Sequence, residues 1–347
     1  MESINYQKEQ NYSLKILMLV LLSITISSCY SIETDCGEND DFWENDDFWE
    51  CASELPKKQS IHSIEVASNG DIWIVTHYTD YTPLSSVYLS TDNGETWVDK
   101  TNGCLNGGFI AISPVNGYLF VNGSNGLFRS TNNGENWIRV IDSVFVGYTL
   151  IIPSGEIYII RDTRKSICYS NDNGDTWIEK ICEGLPYNET NYLALGIDGT
   201  LYAGTGNRGV VRSTDNATTW LPPSNYTSAH INDLTVSDDG SIFAATWNNA
   251  VLKSANRGFN WTAINNGINA RYAGSIVYNP ITNDIFVSTS IGNTYMIHRS
   301  TNLGANWELT TSGLQNSGGH ELTFNPITGQ MYAATTHGVY RSRNYPK

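Results

Sequence analysis

An all-β chain closed into a seven-bladed β-propeller is what the sequence predicts, on three observations. The first is a recurring turn motif. Ser90-Thr91-Asp92-Asn93-Gly94-Glu95-Thr96-Trp97 returns at Ser130 to Trp137, with Asn132 in the Asp position, and at Ser170 to Trp177, with Asp172 there. Weaker copies carry Asp215 and Trp220, Asn256 and Trp261, and Asn302 and Trp307. Tryptophans at 97, 137, 177, 220, 261 and 307 set a period of about 40 residues, the length of a four-stranded propeller blade. The second is a strand signature after a Gly turn, as in Gly70 to Thr76, Gly199 to Thr205, Gly240 to Thr246 and Gly329 to Thr335. With looser copies at Gly117, Gly155 and Asn283 there are seven, each rich in aromatic and β-branched residues. The third is a split end. Only six boxes reach their Trp, and a seventh stops at Ser342-Arg343-Asn344. The missing Trp strand stands at the other end, as Phe48-Trp49-Glu50-Cys51, so an N-terminal strand is expected to complete the last blade. Closure of that kind leaves no exposed sheet edges.

Each element has a local cause. The box Ser hydroxyl and the Asp or Asn side chain can bond nearby backbone groups and hold a tight turn. Gly94, Gly134 and Gly174 supply positive φ. The Trp opens the fourth strand and offers a large apolar face for packing. Ala217 in place of Gly, and Asn in place of Asp, are expected to loosen their turns. First strands are expected at Ile64 to Ala67 and at the matching positions of the other repeats. Third strands are expected ahead of each box, as at Val87-Tyr88-Leu89.

The box and its spacing resemble the Asp-box (BNR) repeat of sialidases, sortilin-type domains and related bacterial propellers, over nearly the whole chain after residue 44. The resemblance implies a propeller. It carries over no catalytic set, because there is no Arg-Ile-Pro segment and nothing singles out a Tyr/Glu pair. Seven blades also depart from the six of sialidases. Xyloglucan-type glycosidases with these boxes use two propellers, and this chain has one.

Upstream of the ring, residues 1–28 read as a lipoprotein signal peptide. Lys8 and Lys15 precede an apolar run from Ile16 to Ile26, too short for a membrane span. Ile26-Ser27-Ser28-Cys29 looks like a lipobox, which implies lipidation of Cys29 and a place in the bacterial cell envelope, at the outer membrane or cell surface. Residues 29–44 form an acidic tether, and residues 45–347 the propeller. Ten carboxylates and no Lys or Arg fall in residues 29–56, most of the net charge of −15. Such a segment repels itself and stays solvated. The propeller's remaining negative charge makes nucleic acid an unsuitable partner.

No cofactor or metal motif stands out. The best calcium-like box, Asn171 to Asp175, lacks the carboxylates that an EF-hand loop requires. No Cys-x-x-Cys occurs. Cys168 and Cys182 flank one hairpin and could pair or remain separate thiols. Arg129, Arg212, Arg299 and Arg341 share the repeat position just before the box Ser, which marks them as structural. A ligand site is expected on the face opposite the boxes. There, strand-end loops place His77, Tyr78, Asp80, Arg161, Asp162, Arg208, Trp247 and Asn248. Inter-blade crossings add His62, His230, Asp233, Arg271, Tyr272, His320 and Glu321, and Tyr295 belongs with the strand-end loops. Aromatics mixed with Asn, Asp and Arg suit a glycan, a peptide or an envelope protein. An acid/base pair drawn from these carboxylates would instead make a glycoside hydrolase, and a scaffold or assembly factor is the third class.

Overall fold

In the computed structural model, residues 47–343 are described apart from 53–54, 56–59, 77–84, 105–106, 124, 143–145, 162–165, 187–189, 227 and 315–318. The signal segment, the tether with Cys29, and His77, Tyr78, Asp80 and Asp162 therefore lie outside the described residues.

The chain folds into seven antiparallel sheets, each a meander from an inner to an outer strand. β1 (Trp49–Cys51) comes first and belongs to the last blade. Blade one is β2 (Ile61–Val66), β3 (Ile72–Thr76), β4 (Val87–Ser90) and β5 (Val98–Asp99). Blade two is β6 (Gly107–Ile112), β7 (Leu119–Gly123), β8 (Gly126–Ser130) and β9 (Ile138–Ile141). Blade three is β10 (Val146–Ile151), β11 (Ile157–Arg161), β12 (Ser166–Ser170) and β13 (Ile178–Ile181). Blade four has β14 (Thr190–Leu195), β15 (Leu201–Thr205) and β16 (Val210–Ser213). Its fourth strand is reduced to one bridge, Arg212 to Leu221. Blade five is β17 (Ile231–Val236), β18 (Ile242–Thr246), β19 (Val251–Ser254) and β20 (Thr262–Ala263). Blade six is β21 (Tyr272–Asn279), β22 (Asp284–Ile291), β23 (Thr294–Ser300) and β24 (Glu308–Leu309). Blade seven is β25 (Gly319–Phe324), β26 (Met331–Thr335) and β27 (Gly338–Ser342), with β1 added outside β27. The inner strands touch in sequence, β2, β6, β10, β14, β17, β21, β25, and back to β2, which closes the ring.

The closure is the one expected. Trp49, Glu50 and Cys51 pair with Ser342, Arg341 and Tyr340. Glu50 clamps two arginines, Arg341 Nε at 2.6 Å and Arg343 Nε at 2.9 Å. Arg341 also reaches Glu95 in the first box, at 2.7 Å. Cys51 is disulfide-bonded. Cys168 and Cys182 do not pair: both are free and buried, in different inter-blade cores.

Among the described residues, seven hydrophobic clusters fill the seven gaps between blades, and each holds one repeat Trp. Trp307 packs between blades five and six, Trp97 between seven and one, and Trp49 between six and seven. The Trp thus belongs to its own blade but plugs the gap to the blade before it. Trp49, Trp220 and Trp261 are the most deeply buried, whereas Trp137 and Trp177 are half-buried at partial cores. The approach is close enough to require glycine. A Cβ at Gly184, Gly267 or Gly313 would strike the carbonyl oxygen of Trp220, Trp307 or Trp49.

The boxes are uniform, and the expected loosening does not occur. Ser90 Oγ accepts from Gly94 N at 2.8 Å while donating to Asp92 Oδ1, and the same pair of bonds forms at Ser130, Ser170, Ser254 and Ser300. Ala217 N bonds Ser213 Oγ at 3.0 Å, with Ala217 itself at φ 68°. What changes is the second side-chain oxygen. Asp92, Asp172 and Asp215 accept a Thr hydroxyl (Thr96, Thr176, Thr219), and the Asn boxes carry Asn136, Asn260 and Asn306 in its place. A neutral amide has no second acceptor, so the hydroxyl donor disappears with it. Three cations at the position before the box Ser, which Lys253 also occupies, reach the next box. Arg129, Lys253 and Arg341 donate to the carbonyls of Asn173, Leu303 and Asn93. That assigns them to the ring.

Candidate functional site

Every inner strand carries a register shift near its start, between Ile61 and Ser63, Gly107 and Ile110, Val146 and Thr149, Thr190 and Tyr192, Ile231 and Asp233, Ala273 and Ile276, and Gly319 and Glu321. A bulge leaves one residue unpaired and re-aims its neighbours. Here it frees backbone N–H groups, which side chains of the preceding blade take up. Ile110 N donates to Ser63 Oγ (3.3 Å), Ile276 N to Asp233 Oδ2 (2.8 Å), Leu322 N to Ser275 Oγ (3.2 Å) and Ile64 N to Glu321 Oε2 (2.7 Å). Asp233 and Glu321, both candidates from the sequence, are therefore clasps between blades.

These carboxyls lie close together around the axis with Glu65. Burial pushes Glu321 up to about 8, Glu65 up to about 7 and Asp233 up to about 6, and the neighbouring carboxylates add to the rise at Glu321. Hydrogen bonds to the charged forms oppose the rise in each case. Beside them runs a row of rings from blades one to four. His62 meets Phe109 at 4.8 Å, Phe109 meets Tyr148 and Tyr192 at 6.2 Å, and Tyr148 meets Tyr192 at 4.9 Å. Burial, with Asp233 and Glu321 adding to it, holds the Tyr192 phenol well above its ordinary range.

Next to this row a cavity of about 630 Å³ opens over blades four to six. Blade four contributes Asn191 and Tyr192, blade five Asn232 and Trp247, and blade six Tyr272, Gly274, Ser290, Gly292 and Tyr295. Trp247 is 55% exposed. Its ring stands edge-on to Tyr272 at 5.2 Å and 88°, and tilted to His230 at 5.9 Å. Its backbone N–H is tied to the His230 carbonyl at 3.1 Å. Asn191 Nδ2 donates to Ile231 O at 3.1 Å and Asn232 Nδ2 to Ala273 O at 2.7 Å. Because a carbonyl only accepts, those bonds fix the amides and leave each Oδ1 as the uncommitted acceptor. Gly274 sits close to its neighbours, since a Cβ there would lie 3.2 Å from Ser288 Oγ and 3.4 Å from the Tyr272 ring.

The sequence candidates divide accordingly. Trp247, Tyr272 and Tyr295 come together in the cavity, with His230 beside them. Asn248, Arg208 and Arg271 are exposed and outside its lining. Arg161 turns to its own blade, 3.6 Å from Glu179. His320 is described only in its backbone, within β25. Asn191, Tyr192, Asn232, Gly274, Ser290 and Gly292 were not foreseen. A signal for three of them exists: Asn191-Tyr192-Leu193 and Asn232-Asp233-Leu234 occupy the repeat position of His62-Ser63-Ile64 and His320-Glu321-Leu322. Among the described residues no group of three or more His, Cys, Asp or Glu is placed to hold a metal ion.

No family model matches the sequence, and no curated protein is similar to it. Solved propellers do match in structure. YCF48 bound to a D1 peptide is 15% identical with a TM-score of 0.62, over 85% of this chain and 97% of that one. A catalytically inactive virginiamycin B lyase from Staphylococcus aureus, solved with quinupristin, is 16% identical at 0.66, over 85% and 98%. The extracellular domain of the hybrid two-component system BT4673 from B. thetaiotaomicron is 12% identical at 0.67, over 86% of this chain and 40% of that one. At these identities the similarity establishes the fold alone: the chain is a seven-bladed β-propeller, like those it matches.

Proposed function

We propose that this protein is a bacterial cell-envelope lipoprotein that binds a glycan, peptide or protein partner through the face bearing the Trp247 cavity. The observation that carries the reading is an exposed indole at the rim of a preformed cavity whose walls combine aromatic rings with oriented amides. Sites of about 300–1,000 Å³ with a few fixed polar groups are the usual form of small-ligand pockets. The matched propellers solved with a D1 peptide and with quinupristin support the use of such a ring for binding, and the extracellular domain supports an envelope setting. The anchor rests on the Ile26-Ser27-Ser28-Cys29 stretch.

Hydrolysis is the second reading, favoured by a carboxyl near 8 at Glu321, within the range of a general acid. It ranks lower because Asp233 and Glu321 each commit an oxygen to a neighbouring blade. A glycan and peptide array run beside chromogenic glycosides tests both readings. Trp247→Ala is expected to leave the melting temperature nearly unchanged and to weaken binding at least tenfold, since stacking residues at a rim contribute mainly to binding. A large fall in melting temperature with unaltered affinity would assign Trp247 to the core. Cys29→Ala is expected to move the protein from the membrane to the soluble fraction and to abolish the lipid mass increment. An unchanged membrane fraction would count against the anchor.

A further inference from the structure

The cavity's chemistry narrows the class of ligand, on the reading that it is the binding site. Among the described residues no Lys, Arg, Asp or Glu lines it. Its polar groups are the acceptors Asn191 Oδ1 and Asn232 Oδ1, the phenols of Tyr192, Tyr272 and Tyr295, and the hydroxyl of Ser290. Fixed acceptors select a ligand that brings its own donors. The Trp247 ring stands at the rim, edge-on to Tyr272, and with over half its surface exposed it can accept a flat apolar partner. A pyranose offers both features, a C–H face to stack and hydroxyls that donate around its edge.

The electrostatics select further. Tyr192, on the cavity wall, is held neutral first by burial and then by Asp233, whose carboxyl at about 6 is charged at neutral pH, while Glu321, at about 8, adds its charge only in alkaline solution. Any anion placed beside Tyr192 meets the same repulsion in a partly desolvated site. No guanidinium or ammonium is present in the lining to offset it, and Arg271 and Arg208 stand outside. An ammonium head group is tolerated by that field. The cavity is far larger than such a group needs, however, and a quaternary ammonium brings no donor for Asn191 Oδ1 and Asn232 Oδ1.

We infer that the cavity between blades four and six is a subsite for uncharged sugar units, stacked on Trp247 and held by Asn191 and Asn232, and that it rejects acidic sugars such as sialic and uronic acids.

The test uses the full chain and matched probes: methyl galactoside against methyl galacturonide, which differ in one carboxylate, and lactose against sialyllactose, which adds one acidic sugar unit, with choline and a short peptide library as further arms. Binding is read by calorimetry and by Trp fluorescence, in wild type, Trp247→Ala and Gly274→Val. The Val side chain narrows the cavity, and because its Cβ comes 3.2 Å from Ser288 Oγ, which accepts from Ser275 N, a moderate fall in melting temperature is expected of this variant. The expected result is saturable binding of a neutral member, at least tenfold weaker binding of its acidic partner, and loss of binding in both variants, with a near-normal melting temperature in Trp247→Ala. Acidic sugars binding as well as neutral ones would overturn the inference, as would Trp247-dependent binding of choline or peptide without any sugar. Both of those results leave the binding face standing. Failure of every probe to respond to Trp247→Ala would remove the binding face together with the subsite.

Discussion

Trp49→Ala is the sharpest test of how the ring is held shut. The indole is 1% exposed and packs among Phe286, Ile297, Leu322, Met331, Ala333 and Tyr340. Its N–H donates to Thr310 O at 2.7 Å, a bond between blade six and blade seven. Truncating a buried Trp costs about 3–5 kcal/mol through lost transfer energy and the cavity left behind. Orphaning the Thr310 carbonyl adds about 1 kcal/mol, since water entering the new cavity can meet part of its need. The total is roughly 4–6 kcal/mol, a large share of the ~5–15 kcal/mol that holds typical domains together. At about 2 °C per kcal/mol, the lower end for larger domains, the melting temperature should fall by roughly 8–12 °C. Trp49→Phe keeps most of the volume and loses the hydrogen bond, so it should fall by about a third as much. Differential scanning calorimetry at fixed scan rate reads both variants. Equal melting of wild type and Trp49→Ala would refute the reasoning, because β1 would then be an appendage and blade seven would stand without it.

Two further predictions concern pH and backbone contact. Glu321, Glu65 and Asp233 hold protons more tightly folded than unfolded. Their contribution is therefore full below the ordinary carboxylate range and is lost as pH rises through about 6, 7 and 8. The box carboxylates Asp92, Asp172 and Asp215 are lowered to about 2 by the Thr side chain and backbone N–H four residues on, so their contribution is lost as pH falls from about 4 through 2. The axial carboxyls keep part of their surface open, which moderates the alkaline limb. Melting temperature should peak near pH 4–5 and decline toward pH 8, and Glu321→Gln should flatten that decline; a curve still rising from pH 5 to pH 8 would contradict the sign. Gly313→Ala and Gly103→Ala both place a side chain at positive φ, at a cost of about 1–2 kcal/mol. Only Gly313 abuts a backbone oxygen, that of Trp49, so its variant should melt several degrees lower; equal losses would mean that the blades do not approach as closely as described.

The blade count, the closing strand and the packing position of the box tryptophans were legible in the sequence because they repeat, although Trp137 and Trp177 are less buried than the repeat alone implies. A box carries its own hydrogen-bonding logic within eight residues, and local logic survives the absence of any tertiary information. The cavity was legible only in part. Trp247, Tyr272 and Tyr295 could be placed by aligning strand ends, but Asn191, Tyr192 and Asn232 lie at bulges, where a strict two-residue alternation assigns side chains to the wrong side. The expected loosening at Ala217 failed for a related reason. Ala217 sits at φ 68° without losing its bond to Ser213, and the cluster between blades three and four buries it completely, so packing outweighs the local strain.

Blade seven draws its outermost strand from one end of the chain and its other three from the far end, with Glu50 and Arg341 291 positions apart. Six sheets can therefore form one after another as the polypeptide emerges, but the seventh must await the final strand. The outer strand stays without its partner throughout, and ordering so distant a contact makes closure the slow step of maturation. On the envelope location proposed above, the finished ring arises only after translocation is complete. Proteolytic loss of either flank removes strands from the same blade and reopens the same seam.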